Sequence, residues 1–134
     1  LRLREAVGPM VGANFDPSHL MWMGADPIAA AKELAGAVYH VHAKDTRIEE
    51  AAAVRSRLET APNPQYDIRG WNFVAVGTGH PGGAGFWREL ATTLQAGGYD
   101  GAFSIENEDY SRPAPEAVGI AARTLTTALE GLRG

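Results

Sequence analysis

The chain has 134 residues, of which 45% are hydrophobic and 21% charged, with no cysteine and a formal net charge of −4. This is the size and make-up of one globular domain able to bury a core, not of a disordered chain. Scattered basic residues in an acidic chain exclude a nucleic-acid face, and the lack of cysteine excludes disulfides and cysteine-based zinc sites.

Leu1 to Ala6 reads as the end of a helix, closed by Gly8-Pro9. Met10 to Phe15 reads as a strand. Asp26-Pro27 offers an N-cap followed by proline at the first helical position, and Ile28 to Leu34 continues as an alanine-rich helix stopped at Gly36. Ala37 to Ala43 is a second strand. From Thr46 to about Gly70 the pattern weakens: Ile48 to Leu58 is read as a helix and Ala61-Pro62-Asn63-Pro64 as a loop. Asn72 to Val76 is a short extended piece running into Gly77-Thr78-Gly79-His80. Phe86 to Ala96 is an amphipathic helix, Ala102 to Ile105 a third strong strand, and Pro115 to Leu132 the terminal helix. No apolar run approaches the roughly 20 residues of a bilayer span, and no signal-peptide pattern is read, so a cytoplasmic protein away from membranes is expected.

The three strong strands end in Asn14-Phe15-Asp16-Pro17-Ser18-His19, His40-Val41-His42-Ala43-Lys44-Asp45 and Ser104-Ile105-Glu106-Asn107-Glu108-Asp109. A parallel α/β sheet builds its sites at such carboxyl ends. The two-residue pleat puts Ala102, Ser104 and Glu106 on one face and Phe103 and Ile105 on the other. It likewise groups Val38, His40, His42 and Lys44, and Gly12, Asn14 and Asp16. Phe103 and Ile105 suit packing against helices, so the polar faces point into a confined interior, and Asp16, His42 and Glu106 become candidates for one constellation. Asp16 and His42 are 26 positions apart, close to the roughly 30 residues of one β/α unit in an eight-fold barrel. His42 and Glu106 are 64 apart, and the surplus falls in residues 46–85, which are expected to form an active-site loop insertion.

With these motifs in this order, the chain resembles the carboxyl-terminal part of the xylose-isomerase-like sugar phosphate isomerase/epimerase family. The resemblance implies a (β/α)8 TIM barrel, of which residues 1–134 supply about the last three strands and their helices. It implies one divalent metal at the barrel mouth, ligated by Asp16, His42 and Glu106, with His19 contacting metal-bound water or substrate and Glu106 also moving the proton. Residues 71–109 are similar to a subgroup with a long loop before its last barrel helix. The family's first metal-binding Glu lies on an earlier strand, and residues 1–9 hold no strand ending in Glu. A longer polypeptide or a separate amino-terminal partner chain is therefore expected to complete the barrel, with about 130 to 180 further residues and the fourth ligand.

One imidazole among carboxylates suits Mn²⁺ or Mg²⁺, with Co²⁺ and Zn²⁺ as alternatives. Such an ion acidifies the carbon-bound proton of a hydroxy-ketone and stabilises the enediolate while a carboxylate moves the proton. The expected activity is isomerisation or epimerisation of a sugar, sugar phosphate or related hydroxy-ketone, so the partner is a small carbohydrate; homo-oligomerisation stays open. Two alternatives remain: the catalytic subunit of a C-glycoside deglycosidase acting on an oxidised sugar, and a non-catalytic accessory chain. An apurinic endonuclease would need several metals and a basic DNA face.

Blander roles compete at each position. His19 could cap its loop, and His40 is read as a hydrogen-bonded interior residue. Lys44 and Asp45 are expected to form an ion pair at the rim, with a substrate contact from Lys44 as the lesser option. Arg47 and His80 are candidate substrate contacts. Gly77-Thr78-Gly79 resembles a phosphate cradle only superficially, because it does not open a helix directly. Glu108 and Asp109 are read as rim residues, and core or loop packing is the default for Trp22, Trp71 and Trp87.

Overall fold

The computed structural model describes residues 1–58 and 60–132. Its centre is a three-stranded parallel sheet in the order β1 (Ala13–Phe15), β2 (Val38–Ala43), β5 (Phe103–Ile105). Register pairs Asn14 with His40, Phe15 with Val41, His42 with Ser104, and Ala43 with Ile105. Glu106 extends the ladder by donating its backbone N–H to the Ala43 carbonyl at 3.2 Å. The polar end residues of the three strands are thereby brought to one edge of the sheet.

Helices cover one face. α1 (Arg2–Val7) closes on Gly8, as the Gly-Pro pair predicts. α3 (Pro27–Glu33) starts where Asp26 accepts hydrogen bonds from the backbone N–H groups of Ile28 and Ala29. α5 (Gly83–Ala96) buries Phe86, Trp87, Leu90, Ala91 and Leu94, one stripe at helical spacing, and α6 (Ala114–Leu129) buries Ala117, Ala121, Leu125 and Ala128. These pack with Phe15, Val41 and Ala43 into one core, against which Phe103 and Ile105 also rest. Leu90 and Trp87 have no exposed surface, so truncating Leu90 to Ala costs about 2–5 kcal/mol. The alternation read from the sequence holds: Val41 and Ala43 face the helices, while His40 and His42 lie on the other side and keep partial exposure.

The irregular stretch differs from its sequence reading. In place of a helix over Ile48 to Leu58, β3 (Asp45–Ile48) pairs antiparallel with β4 (Trp71–Val74), from Asp45 opposite Val74 to Ile48 opposite Trp71. Only a four-residue helix, α4 (Glu50–Ala53), and a 3₁₀ segment (Asn63–Ile68) lie between. The alanine-rich residues keep their helix as α4, whereas Asp45–Ile48 pairs with a segment about 25 positions away, a long-range preference that local periodicity does not register. The sequence reading also passed over α2 (Pro17–Met23), which starts from the same Asp-Pro signal as α3: Asp16 caps it by accepting the Ser18 backbone N–H.

Among the described residues no helix is long and apolar enough to cross a membrane.

Candidate functional site

Asp16 stands at the end of β1, His42 within β2 and Glu106 just past β5. One potential ligand atom from each lies within 4.8 Å of the others. Each carboxylate has one oxygen tied back to the scaffold. Asp16 Oδ1 accepts the Ser18 N–H at 2.9 Å and the Ser18 hydroxyl at 2.6 Å, and Glu106 Oε1 accepts from Lys44 Nζ at 2.9 Å. The other oxygens face imidazoles: Asp16 Oδ2 lies 3.4 Å from His19 Nε2, and Glu106 Oε2 is paired with His42 Nδ1. Supporting contacts of this kind fix the aim of first-line ligands.

The donor set fits a divalent ion. Two carboxylates and one imidazole, each only partly exposed, form a mixed oxygen and nitrogen set on three neighbouring strand ends.

Lys44 is 3% exposed and bridges Glu106 and Glu108, the latter at 2.5 Å. Burial pulls its pKa down, but the hydrogen bonds and charges of the two glutamates outweigh that, so it is raised and the ammonium stays charged. In return the Lys44 hydrogen bond, opposed by partial burial, holds the Glu106 carboxyl below the usual glutamate range.

His19 sits in the first turn of α2 and is half exposed. Its Nδ1 accepts from Trp22 Nε1 at 3.4 Å, so the tautomer with hydrogen on Nε2, facing Asp16, satisfies both contacts. The β3–β4 hairpin contributes Phe73: Lys44 Nζ lies 4.0 Å from the centre of its ring, and the His19 ring meets it edge-on at 5.6 Å. Trp22 stacks on Trp71 at 5.0 Å beside it.

Several residues stand differently from their sequence reading. Lys44 and Asp45 do not pair with each other: Lys44 lies between β2 and β3 with its ammonium on Glu106 and Glu108, and Asp45 opens β3 with its carboxylate on the loop over residues 77–80. Lys44 turns to the glutamates, and Asp45, with no exposed surface, accepts the backbone N–H groups of Thr46, Gly77, Gly79 and His80. Gly79 has to be glycine there, since a Cβ would stand 2.6 Å from the Thr46 backbone and 2.7 Å from the Asp45 carboxylate. Asp109 is not a rim residue but is 5% exposed and binds Ala75 N–H, Ser111 and Arg112.

Arg47 lies on β3 with its guanidinium committed to Glu49, 2.6 Å away. His80 stacks on Phe86 and accepts the Gly82 N–H at 3.1 Å. It lines a cavity with Met21, Thr46 and Ile48 whose walls include none of Asp16, His42 or Glu106. His40 meets the His42 ring edge-on at 5.3 Å, and Trp87 is fully buried in the core.

Sequence reasoning missed Ser18, Asn14 and Phe73 as parts of this site. Asn14 Nδ2 lies 3.4 Å from His42 Nε2, and pleat parity had already put it on the right face. Ser18 was legible from the Asp-x-Ser spacing of a capping turn. Phe73 carried no local signal, because the hairpin alone brings it here.

A family model for the xylose isomerase-like TIM barrel matches residues 1–128. The chain is 52% identical over 130 residues to the uncharacterized protein YfiH of Bacillus subtilis, covering 96% of this chain and 40% of that protein. Over 54 residues, 40% of this chain and 17% of the other, it is 39% identical to the rhizopine catabolism protein MocC of Rhizobium meliloti. The crystal structure of a xylose isomerase domain protein from Planctomyces limnophilus superposes with a TM-score of 0.66 at 29% identity, over 96% of this chain and 42% of that one. The chain thus spans about two fifths of the length of YfiH and of that solved structure. With three parallel strands, their covering helices and these matches, the chain belongs to the xylose isomerase-like TIM barrel family, which includes sugar isomerases and epimerases.

Proposed function

We propose that this chain supplies metal-binding and proton-transfer residues to a divalent-metal-dependent isomerase or epimerase of a sugar, sugar phosphate or related hydroxy-ketone. The observation that carries the reading is the convergence of Asp16, His42 and Glu106 from three neighbouring strand ends to within 4.8 Å. These three would hold the ion, with Mn²⁺ or Mg²⁺ favoured by the oxygen majority and Co²⁺ or Zn²⁺ accommodated. When bound, such an ion supplies positive charge beside a ketone and so acidifies the neighbouring carbon-bound proton.

The chain's own groups do the rest. Glu106 is kept ionised by Lys44, so its carboxylate would take that proton and return it to the same or the adjacent carbon. His19, tied to Asp16 and half exposed, orients or protonates a substrate oxygen. MocC, a relative named for rhizopine catabolism, supports a role in small-molecule catabolism.

Deuterium exchange tests the reading. Full-length protein loaded with Mn²⁺ and incubated with ketoses in D₂O should place deuterium on the carbon beside the carbonyl. Glu106→Gln should stop the exchange, and His42→Ala should lower metal content as read by elemental analysis. Full metal occupancy in His42→Ala would overturn the ligand assignment, and lack of exchange across a broad panel would favour a non-catalytic chain.

A further inference from the structure

We propose that Thr46 is a positioning residue for the metal site: from the β3–β4 hairpin its buried hydroxyl pins the first turn of α2 and so sets the aim of Asp16. The inference rests on the proposed reading of Asp16 as a metal ligand and gives the hairpin a part in that site.

Asp16 is mounted on the turn that follows it. Its Oδ1 accepts the Ser18 backbone N–H at 2.9 Å and the Ser18 hydroxyl at 2.6 Å, which leaves Oδ2 on the side of His19. Ser18 has no exposed surface, so the direction of the carboxylate depends on where the protein holds that residue. Part of the hold comes from outside the helix. Thr46 donates its hydroxyl to the Ser18 carbonyl at 2.8 Å, across 28 positions of sequence. Ser18 thus gives both of its donors to the candidate ligand and takes a hydrogen bond from the hairpin.

A buried threonine needs an acceptor wherever it sits. What makes this contact a mount is that Thr46, 2% exposed, is itself fixed on several sides. Its backbone N–H goes to Asp45 Oδ1 at 2.9 Å, its strand position pairs with Phe73, and Gly79 packs so close that a Cβ there would stand 2.6 Å from the Thr46 carbonyl. A hydroxyl fixed in this way cannot follow a shifting partner, so it holds Ser18 in place. Phe73 strengthens the grip. Residues directly opposite each other in a strand pair project from the same face, and from this face the Phe73 ring meets His19 at 5.6 Å while Thr46 meets Ser18. The cross-strand pair therefore clasps Ser18 and His19, the two α2 residues that contact the Asp16 carboxylate.

The test is Mn²⁺ titration of the full-length protein by calorimetry, with the electron paramagnetic resonance spectrum of the bound ion as a second readout. Thr46→Val keeps the shape and removes the donor. Mn²⁺ affinity should fall about 3- to 10-fold, below or at the low end of the loss from removing a ligand's own hydrogen-bond partner, because Thr46 acts one bond further out. The spectrum should change with it. Thr46→Ser, which keeps the hydroxyl, should restore most of the affinity, and Thr46→Ala reads the same loss where the valine variant does not fold. In a Ser18→Ala background the Thr46→Val effect should shrink, because the hydroxyl it positions is gone. Wild-type affinity and spectrum in a folded variant lacking the Thr46 hydroxyl would overturn the inference and leave the ligand assignment standing. An equal loss in the core substitution Leu90→Val, or an undiminished effect in the Ser18→Ala background, would overturn it too. A wild-type protein that binds no Mn²⁺ sinks the ligand assignment itself, and this inference with it.

Discussion

Lys44 Nζ reaches Glu106 Oε1 at 2.9 Å across 62 positions of sequence, joining the end of β2 to the end of β5 through a nearly buried ammonium. Lys44→Met keeps most of the stem's volume but leaves Glu106 and Glu108 facing each other without a counter-charge. Both glutamates are about one third exposed, so the cost should fall below that of a fully buried pair, at about 1–3 kcal/mol. Denaturant unfolding reads this cost. Exchange activity should drop about 10- to 100-fold through loss of the fixed carboxylate geometry, whereas metal content should change little. A variant that exchanges at the wild-type rate would show that Lys44 does not set Glu106's geometry.

Asp45 holds the loop over residues 77–80 by accepting three of its backbone N–H groups, with the Trp87 indole N–H a further 3.4 Å contact. Asp45→Asn keeps the shape but loses the charge and one acceptor oxygen. The expected loss is about 2–4 kcal/mol, since hydrogen bonds to a charged group are the costly ones to remove. Hydrogen exchange at the Gly77, Gly79 and His80 amides should speed up more than exchange in α5. Uniform loosening of the whole chain would argue that Asp45 acts on the core rather than on the loop.

Asp109 gives a pH signature. Burial raises its carboxyl pKa, but hydrogen bonds from Ser111 and Ala75 and the Arg112 charge outweigh burial, leaving it below the usual aspartate value of 3.8. The unfolded state therefore binds the proton more readily than the folded state. The resulting stability is fully present above roughly pH 5 and is lost as pH falls below about 4 toward the folded value. Asp109→Asn should be less stable than wild type at pH 7, and the gap should close in acid. A gap of constant size from pH 7 down to pH 3 would remove the electrostatic account.

β1 and β5 are the outer strands of the three-stranded sheet, and Leu1, Leu3, Val7 and Met10 are exposed beside β1. Open parallel edges and bare apolar side chains favour association. Residues 1–134 expressed alone should be insoluble, oligomeric or molten, and supplying the amino-terminal part of a barrel should restore solubility. A monomeric species that unfolds cooperatively, seen by sedimentation and calorimetry, would contradict this expectation.

Much of the site was legible in the sequence because strand geometry is local. Alternation alone placed Asp16, His42 and Glu106 on like faces, Asp-Pro and Gly-Pro pairs marked helix boundaries, and the motif order carried the family. Only the tertiary structure decided the partners of the charged groups. Lys44 and Asp45 are neighbours in sequence, so a short-range ion pair was the natural reading. At the junction between β2 and β3 they part, one toward carboxylates more than 60 positions away and the other toward a loop more than 30 away. The β3–β4 hairpin was hidden for the same reason. Its pairing energy comes from a distant segment, whereas composition and periodicity report only what each residue prefers beside its nearest neighbours.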